Sequence, residues 1–248
     1  MITLSTGALY PYGLDRIFEI AQKAGYDGVE LLLRLKGSDA YLDSWDADYL
    51  KKLEQRYGIK VLSLHVPFSF EEDHSIYPEI KELAEKLDAK YIIIHSPRED
   101  QTSCKKWIED NVENGNINKD AKVSILIENL ETKKAKADPV YMKPEQFQRF
   151  SQVCFDTAHS LRSGQDPKIF MEQLSNIKQL HLSNWDGIDG HLSVLKDKNR
   201  FSELLSLKPI ENICLELCPK AFNDIKDQEE IVSTLKETLA FVKQYSKA

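Results

Sequence analysis

Apolar runs of strand length alternate with helix-period segments from one end of this 248-residue chain to the other, and that alternation predicts a parallel sheet covered by helices. The runs are ITLST, DGVELLL, KVLSLH, KYIIIH, KVSILIE, QVCFD, IKQLHL and NICLEL. Between them lie amphipathic segments. LDRIFEIAQKAG stops at Gly25 and WDADYLKKLEQRYG at Gly58, a helix over 76–87 carries Pro78 in its first turn, and another covers 103–112. A polar stretch, ETKKAKADPVYM, precedes a short helix at 144–150. Helical segments follow over 157–174, 201–207 and 228–245. Eight strands, each followed by a helix and recurring about every 30 residues, predict an α/β fold of the (β/α)8 TIM barrel type, filling residues 1–248 as one domain. An open doubly wound sheet is the alternative, but strand one leads into Thr6-Gly7-Ala8-Leu9 rather than a glycine-rich phosphate loop.

Charge and cysteine usage narrow the function classes. Lysine and arginine number 33 against 40 aspartates and glutamates, a net charge of −7, which argues against tight sequence-independent binding of long nucleic acid. The four cysteines, Cys104, Cys154, Cys214 and Cys218, have neither CxxC nor disulfide-framework spacing, so a reducing cytoplasm is expected. No basic leader opens the chain, and nowhere do about 18 apolar residues run together, so no membrane association is expected.

The ends of the apolar runs carry the chemistry. His65, His95, Glu128, Asp156, His181 and Glu216 sit at successive strand ends, with His159 three residues after Asp156 and a second close pair at Asp189 and His191. In a barrel the carboxyl ends of the strands face one shared cavity, so these side chains are expected to converge. Glu128, Asp156, His181 and Glu216 would form a mixed oxygen and nitrogen site for a divalent metal, Zn²⁺ or Mn²⁺ foremost, with Mg²⁺ or Co²⁺ also compatible. Glu128 and Glu216 at the ends of buried strands would be costly without a partner, whereas Asp156 has a purely structural role open to it as a helix cap. Asp189 and His191 would share one side of an extended segment. Nine such groups exceed one ion's needs and imply either several metals or a generous outer layer of ligand-orienting residues.

The stretches LHVPF, IIIHSP, LIENLE, CFDTAHSLRSGQDP, LHLSNWDGIDGHL and ICLELCP resemble, in order, the strand-end motifs of the xylose-isomerase-like barrel superfamily, which joins sugar-phosphate isomerases and epimerases with type IV apurinic endonucleases. The resemblance implies that Glu128, Asp156, His181 and Glu216 are metal ligands, with the two glutamates acting as acid and base on a small sugar or sugar phosphate through an enediolate. By the endonuclease resemblance, all nine of His65, His95, Glu128, Asp156, His159, His181, Asp189, His191 and Glu216 would hold three zinc ions for phosphodiester hydrolysis at abasic DNA, the alternative reading and the one that brings in nucleic acid. A third reading is a non-catalytic metal- or sugar-binding barrel. The sequence departs from the isomerase pattern where His191 runs into LSVLKDKNRF without a glycine, and from the endonuclease pattern in its short segments after strands two and three.

Arg34, Arg98, Lys133, Lys134 and Arg162 are expected near the same rim, as candidates for a substrate phosphate or as solvated loop charge. Tyr10, Tyr12, Phe68, Phe70 and Trp185 are candidates to wall the pocket. Cys214 and Cys218, flanking Glu216, read as structural.

Overall fold

The computed structural model describes residues 1–34, 42–113, 122–133, 136–222 and 227–246. Eight parallel strands, β1 (Ile2–Ser5), β2 (Gly28–Leu32), β3 (Lys60–His65), β4 (Tyr91–His95), β5 (Ser124–Glu128), β6 (Val153–Asp156), β7 (Ile177–Leu182) and β8 (Asn212–Leu215), pair in sequence order, and β8 closes onto β1. The α/β barrel expected from the alternation is therefore the observed fold, and the open sheet is excluded. Register aligns the chemistry: His95 lies opposite Glu128, Asp156 opposite His181, and His181 opposite Cys214.

The helices are α1 (Leu14–Ala24), α2 (Ala47–Tyr57), α3 (Tyr77–Leu87), α4 (Thr102–Ile108), α5 (Pro144–Phe147), α6 (Thr157–Arg162), α7 (Pro167–Gln173), α8 (Lys198–Leu205) and α9 (Gln228–Tyr245). Local rules explain their limits. α1 ends where Gly25 takes φ 87°, a left-handed conformation that glycine adopts without a Cβ clash, and its N–H satisfies the carbonyls of Ala21 and Gln22. α2 starts at Asp46, whose carboxylate accepts the N–H groups of Asp48 and Tyr49. The helix expected over 103–112 instead stops at Ile108 and passes into a wider turn, Glu109–Glu113, where the Asn111 side-chain amide donates to the Trp107 carbonyl at 2.8 Å.

The main core lies between the outer faces of the strands and the helices. There Phe155 and Phe170 stack at 4.6 Å and 9°, and burying each ring contributes roughly 1.5–3 kcal/mol. β2 and β3 approach so closely that a Cβ on Gly28 would stand 2.6 Å from the Lys60 carbonyl oxygen. Inside the barrel a small apolar cluster, Tyr91, Ile93, Leu126 and Cys154, is accompanied by buried polar side chains: Glu30, Ser63, Gln179 and Asn212. Those polar groups lead toward the rim where the strands end.

Candidate metal centre

Glu128 is the hub. Its carboxylate is fully buried; Oε2 accepts from His65 Nε2 at 3.0 Å and Oε1 from His181 Nδ1 at 2.8 Å. His95 Nε2 stands 3.8 Å from Oε2 and His159 Nε2 4.0 Å from Oε1. Glu216, just past β8, brings Oε2 to 2.9 Å from the same His181 Nδ1. Asp156 closes the group. Its Oδ1 caps α6 by accepting the His159 N–H at 2.6 Å, while its Oδ2 is buried and receives no hydrogen bond from the described residues. One donor atom from each of Glu128, Asp156, His181 and Glu216 lies within 4.8 Å of the other three, and two smaller groups, His65–Glu128–His181 and His95–Glu128–His159, share Glu128 with it.

The charges show what this packing demands. Burial opposes ionisation of Glu128, yet the charges and hydrogen bonds of His181 and His65 hold its carboxyl well below the usual range. Burial also disfavours the charged form of Glu216, and His181 and His191 outweigh it, lowering that pKa. Asp156 goes the other way: burial, together with the Glu216 and Glu128 carboxylates, pushes it well above the ordinary value against the pull of His159. Burial would lower His65, but Glu128 overrides it and raises the imidazole to about 9. His159 rises likewise to about 9, burial being outweighed by Asp156 and Glu131. Glu128 and Glu216 are thus balanced by imidazole protons, whereas Asp156 without a cation keeps its own proton, and among the described residues its Oδ2 has no hydrogen-bond partner. A divalent cation fits this set, supplying the charge the carboxylates lack and a partner for the orphaned oxygen.

Of the nine strand-end candidates, seven fall in these groups: His65, His95, Glu128, Asp156, His159, His181 and Glu216. His191 stands beside them, its ring 5.1 Å from that of His159, with Nδ1 donating to the Glu216 carbonyl at 3.1 Å. Asp189 does not join. Asp186 Oδ1 accepts the N–H groups of Ile188 and Asp189 in a tight turn, Gly187 takes φ 101° and His191 φ 55°, and the Asp189 carboxylate pairs with Lys220. The segment is a turn rather than the expected extended run.

Sequence reasoning missed the carboxylates behind the imidazoles. Glu71 Oε1 stands 3.5 Å from His95 Nδ1, and Glu131, almost fully buried, contacts His159 Nδ1. Glu30, inside β2, lies 3.2 Å from His181 Nε2. Only Glu30 left a legible trace, an acid within the apolar run GVELL.

The rim cations among the described residues are engaged. Arg98 is buried and donates to the carbonyls of Ala137 and Glu131, while Lys133 and Arg162 pair with the Glu131 carboxylate. The Arg34 guanidinium lies over the Tyr10 ring at 5.4 Å, and Lys134 falls outside the described residues. Phe68 is exposed and stacks on His95 at 4.9 Å, whereas Phe70 and Tyr12 belong to the core packing and Trp185 is partly buried at the rim. Among the described residues no helix is long and apolar enough to cross a membrane.

Residues 18–204 match the xylose isomerase-like TIM barrel family. The chain belongs to that family. The chain is 32% identical over 136 residues to an uncharacterized protein of Mycobacterium leprae, a stretch covering 52% of this chain and 46% of that one. A counterpart in Mycobacterium tuberculosis is 31% identical over the same extent. The chain spans about half the length of these curated relatives. Among solved structures it resembles a D-tagatose 3-epimerase-like protein, with TM-score 0.68, 19% identity and 98% of both chains covered. It also resembles the D-psicose 3-epimerase of Clostridium cellulolyticum, solved with D-tagatose, at TM-score 0.66, 12% identity and coverage of 100% and 99%. Endonuclease IV of Thermus thermophilus aligns at TM-score 0.56, 14% identity and coverage of 98% and 99%. At these identities the likeness is one of fold, and it spans both chemistries.

Proposed function

We propose that the protein is a metal-dependent isomerase or epimerase acting on a small sugar or sugar phosphate. The observation that carries this reading is the four-donor group Glu128–Asp156–His181–Glu216, in which two glutamates flank one imidazole nitrogen at 2.8 and 2.9 Å. These four residues would hold a divalent cation, which supplies Lewis acidity toward a substrate carbonyl and its neighbouring hydroxyl. Glu216 is 16% exposed and is the carboxylate that a substrate in the mouth would meet first, so it takes the proton beside the carbonyl. Glu128, fully buried, returns a proton to the resulting enediolate, and its hydrogen bond from the His65 imidazole, raised to about 9, gives it a proton-bearing neighbour. The epimerases among the fold neighbours support the same class.

A panel of candidate sugars suffices for the test. Protein loaded with Mn²⁺ or Zn²⁺ is incubated in D₂O with ketoses and ketose phosphates, and exchange of the carbon-bound proton beside the carbonyl is followed by NMR. Exchange with at least one sugar, lost in Glu216→Gln while the protein stays folded, is expected; exchange at the wild-type rate in Glu216→Gln contradicts the assignment. A second reading, a multinuclear phosphodiesterase, draws on the convergence of His65, His95 and His159 upon Glu128. Clustered ions there would suit phosphoester hydrolysis, and nicking of an abasic duplex, without exchange on any sugar, would favour it.

A further inference from the structure

Among the described residues, Glu30 is the buried carboxylate inside the barrel, below the rim, that the chemistry above leaves unused. It sits mid-strand in β2, fully buried. An isolated carboxylate at such a place costs several kcal/mol unless a positive partner and hydrogen bonds compensate. Ser63 Oγ donates to Glu30 Oε2 at 2.7 Å, and the Gln179 side-chain amide donates to the same oxygen. The Gln179 amide is itself fixed, because its Oε1 accepts from Asn212 Nδ2 at 2.7 Å. Thus clamped, Glu30 faces His181 Nε2 at 3.2 Å, and that imidazole is the partner able to bring positive charge to it.

Both nitrogens of the His181 ring therefore face carboxylates, Nδ1 toward Glu128 and Glu216 and Nε2 toward Glu30. The surroundings of Nε2 suit two proton arrangements. With the ring proton on Nδ1, the Gln179 amide nitrogen, 2.8 Å away, donates to a bare Nε2. With the Nδ1 lone pair given to a cation, the remaining proton is on Nε2, the Gln179 amide gives up its bond to that nitrogen and keeps the one to Glu30, and Glu30 at 3.2 Å is the acceptor the Nε2–H needs.

We infer that Glu30 is a positioning residue for the metal centre: by accepting the Nε2–H of His181 it holds the ring with Nδ1 aimed at the cation and makes that nitrogen a stronger donor. This rests on His181 being a ligand in the proposed enzyme and concerns how the ligand is prepared. The contact of Glu131 with His159 Nδ1 repeats the arrangement at a second imidazole. Carboxylates placed behind ligating histidines typically change metal affinity by about 10–100-fold.

The experiment compares wild type with Glu30→Gln, which keeps the shape and an acceptor oxygen but removes the charge. Zn²⁺ affinity is measured by chelator competition, and ¹⁵N-histidine NMR of the zinc-loaded wild type reports which nitrogen of each ring carries the proton. The expected result is at least about tenfold weaker Zn²⁺ binding in Glu30→Gln and one zinc-bound ring with Nδ1 on the metal and a proton on Nε2 whose signal shifts in the variant. A merely structural role would lower thermal stability and leave these two readouts in place. Affinity within about twofold of wild type, or zinc-bound His181 lacking an Nε2 proton, overturns the inference. If Glu30→Gln fails to fold, Glu30→Asp, which keeps the charge and withdraws it from Nε2, should still weaken Zn²⁺ binding and shift the Nε2–H signal, and wild-type values of both in Glu30→Asp overturn the inference. Weakened zinc binding in a protein that exchanges no sugar proton would sink the proposed reaction while leaving Glu30's role intact.

Discussion

Asp156 performs two separable tasks, and Asp156→Asn divides them. Oδ1 caps α6 through the His159 N–H at 2.6 Å, a role asparagine fills as well as aspartate. Oδ2, buried without a hydrogen bond, belongs to the four-donor group. Without a cation, burial and then the Glu216 and Glu128 carboxylates raise the Asp156 pKa, against His159. A carboxyl with a raised folded pKa binds more protons folded than unfolded, so its contribution to stability falls as pH climbs from its ordinary value, about 3.9, through the folded one. Cation-free Asp156→Asn is therefore expected to equal or exceed wild type at neutral pH, with the advantage growing across that window. With cation the order reverses. A ligand present at a thousandfold its Kd stabilises the fold by about 4.1 kcal/mol, and a variant binding it a hundredfold more weakly keeps about 1.4 kcal/mol. The gap of about 2.7 kcal/mol corresponds to roughly 5–11 °C in Tm for a chain of this size. Calorimetric melts in chelator and then in excess Zn²⁺ or Mn²⁺ measure it directly. Asp156→Ala, which also loses the cap, should melt lower than Asp156→Asn in both conditions, by about 0.5–2 kcal/mol. Equal gains in Tm from the cation in wild type and Asp156→Asn would refute the reasoning.

Cation binding should release protons. To ligate, His181 and Asp156, both with raised pKa, must give up protons, and a cation beside them draws protons from His65 and His159, raised to about 9 without it, so affinity should rise from about pH 7 to 9 and titration calorimetry in buffers of different ionisation enthalpy should detect the release; a flat pH profile contradicts it. Gly28→Ala should destabilise by about 1–3 kcal/mol in urea melts, because its Cβ would meet the Lys60 carbonyl oxygen at 2.6 Å and Leu62 side-chain carbons at 2.9 Å; unchanged stability would mean that β2 and β3 can part at little cost.

The barrel was legible because its period is carried by apolar strands whose pattern is local, and its closure follows from eight such repeats. The gathering of Glu128, Asp156, His181 and Glu216 was legible for a related reason: parallel strands put their carboxyl ends on one rim, so a strand-end position is already an address. What stayed hidden depends on side-chain direction across the fold. Glu71 and Glu131 lie in the segments after β3 and β5, and nothing in their spacing distinguishes them from solvated loop acids. Glu131 also accounts for Lys133 and Arg162, which sequence alone offered as phosphate binders or solvated charge and which instead surround a buried carboxylate. Asp189 shows the converse, since a D-G-H spacing says nothing of the Asp186 turn in which its carboxylate pairs with Lys220.

The most direct measurement is anomalous diffraction from crystals grown in saturating Zn²⁺ or Mn²⁺. An anomalous peak bounded by Glu128, Asp156, His181 and Glu216 is the predicted result. The same four side chains ordered around empty density, at cation concentrations that fill weaker surface sites, would contradict the account.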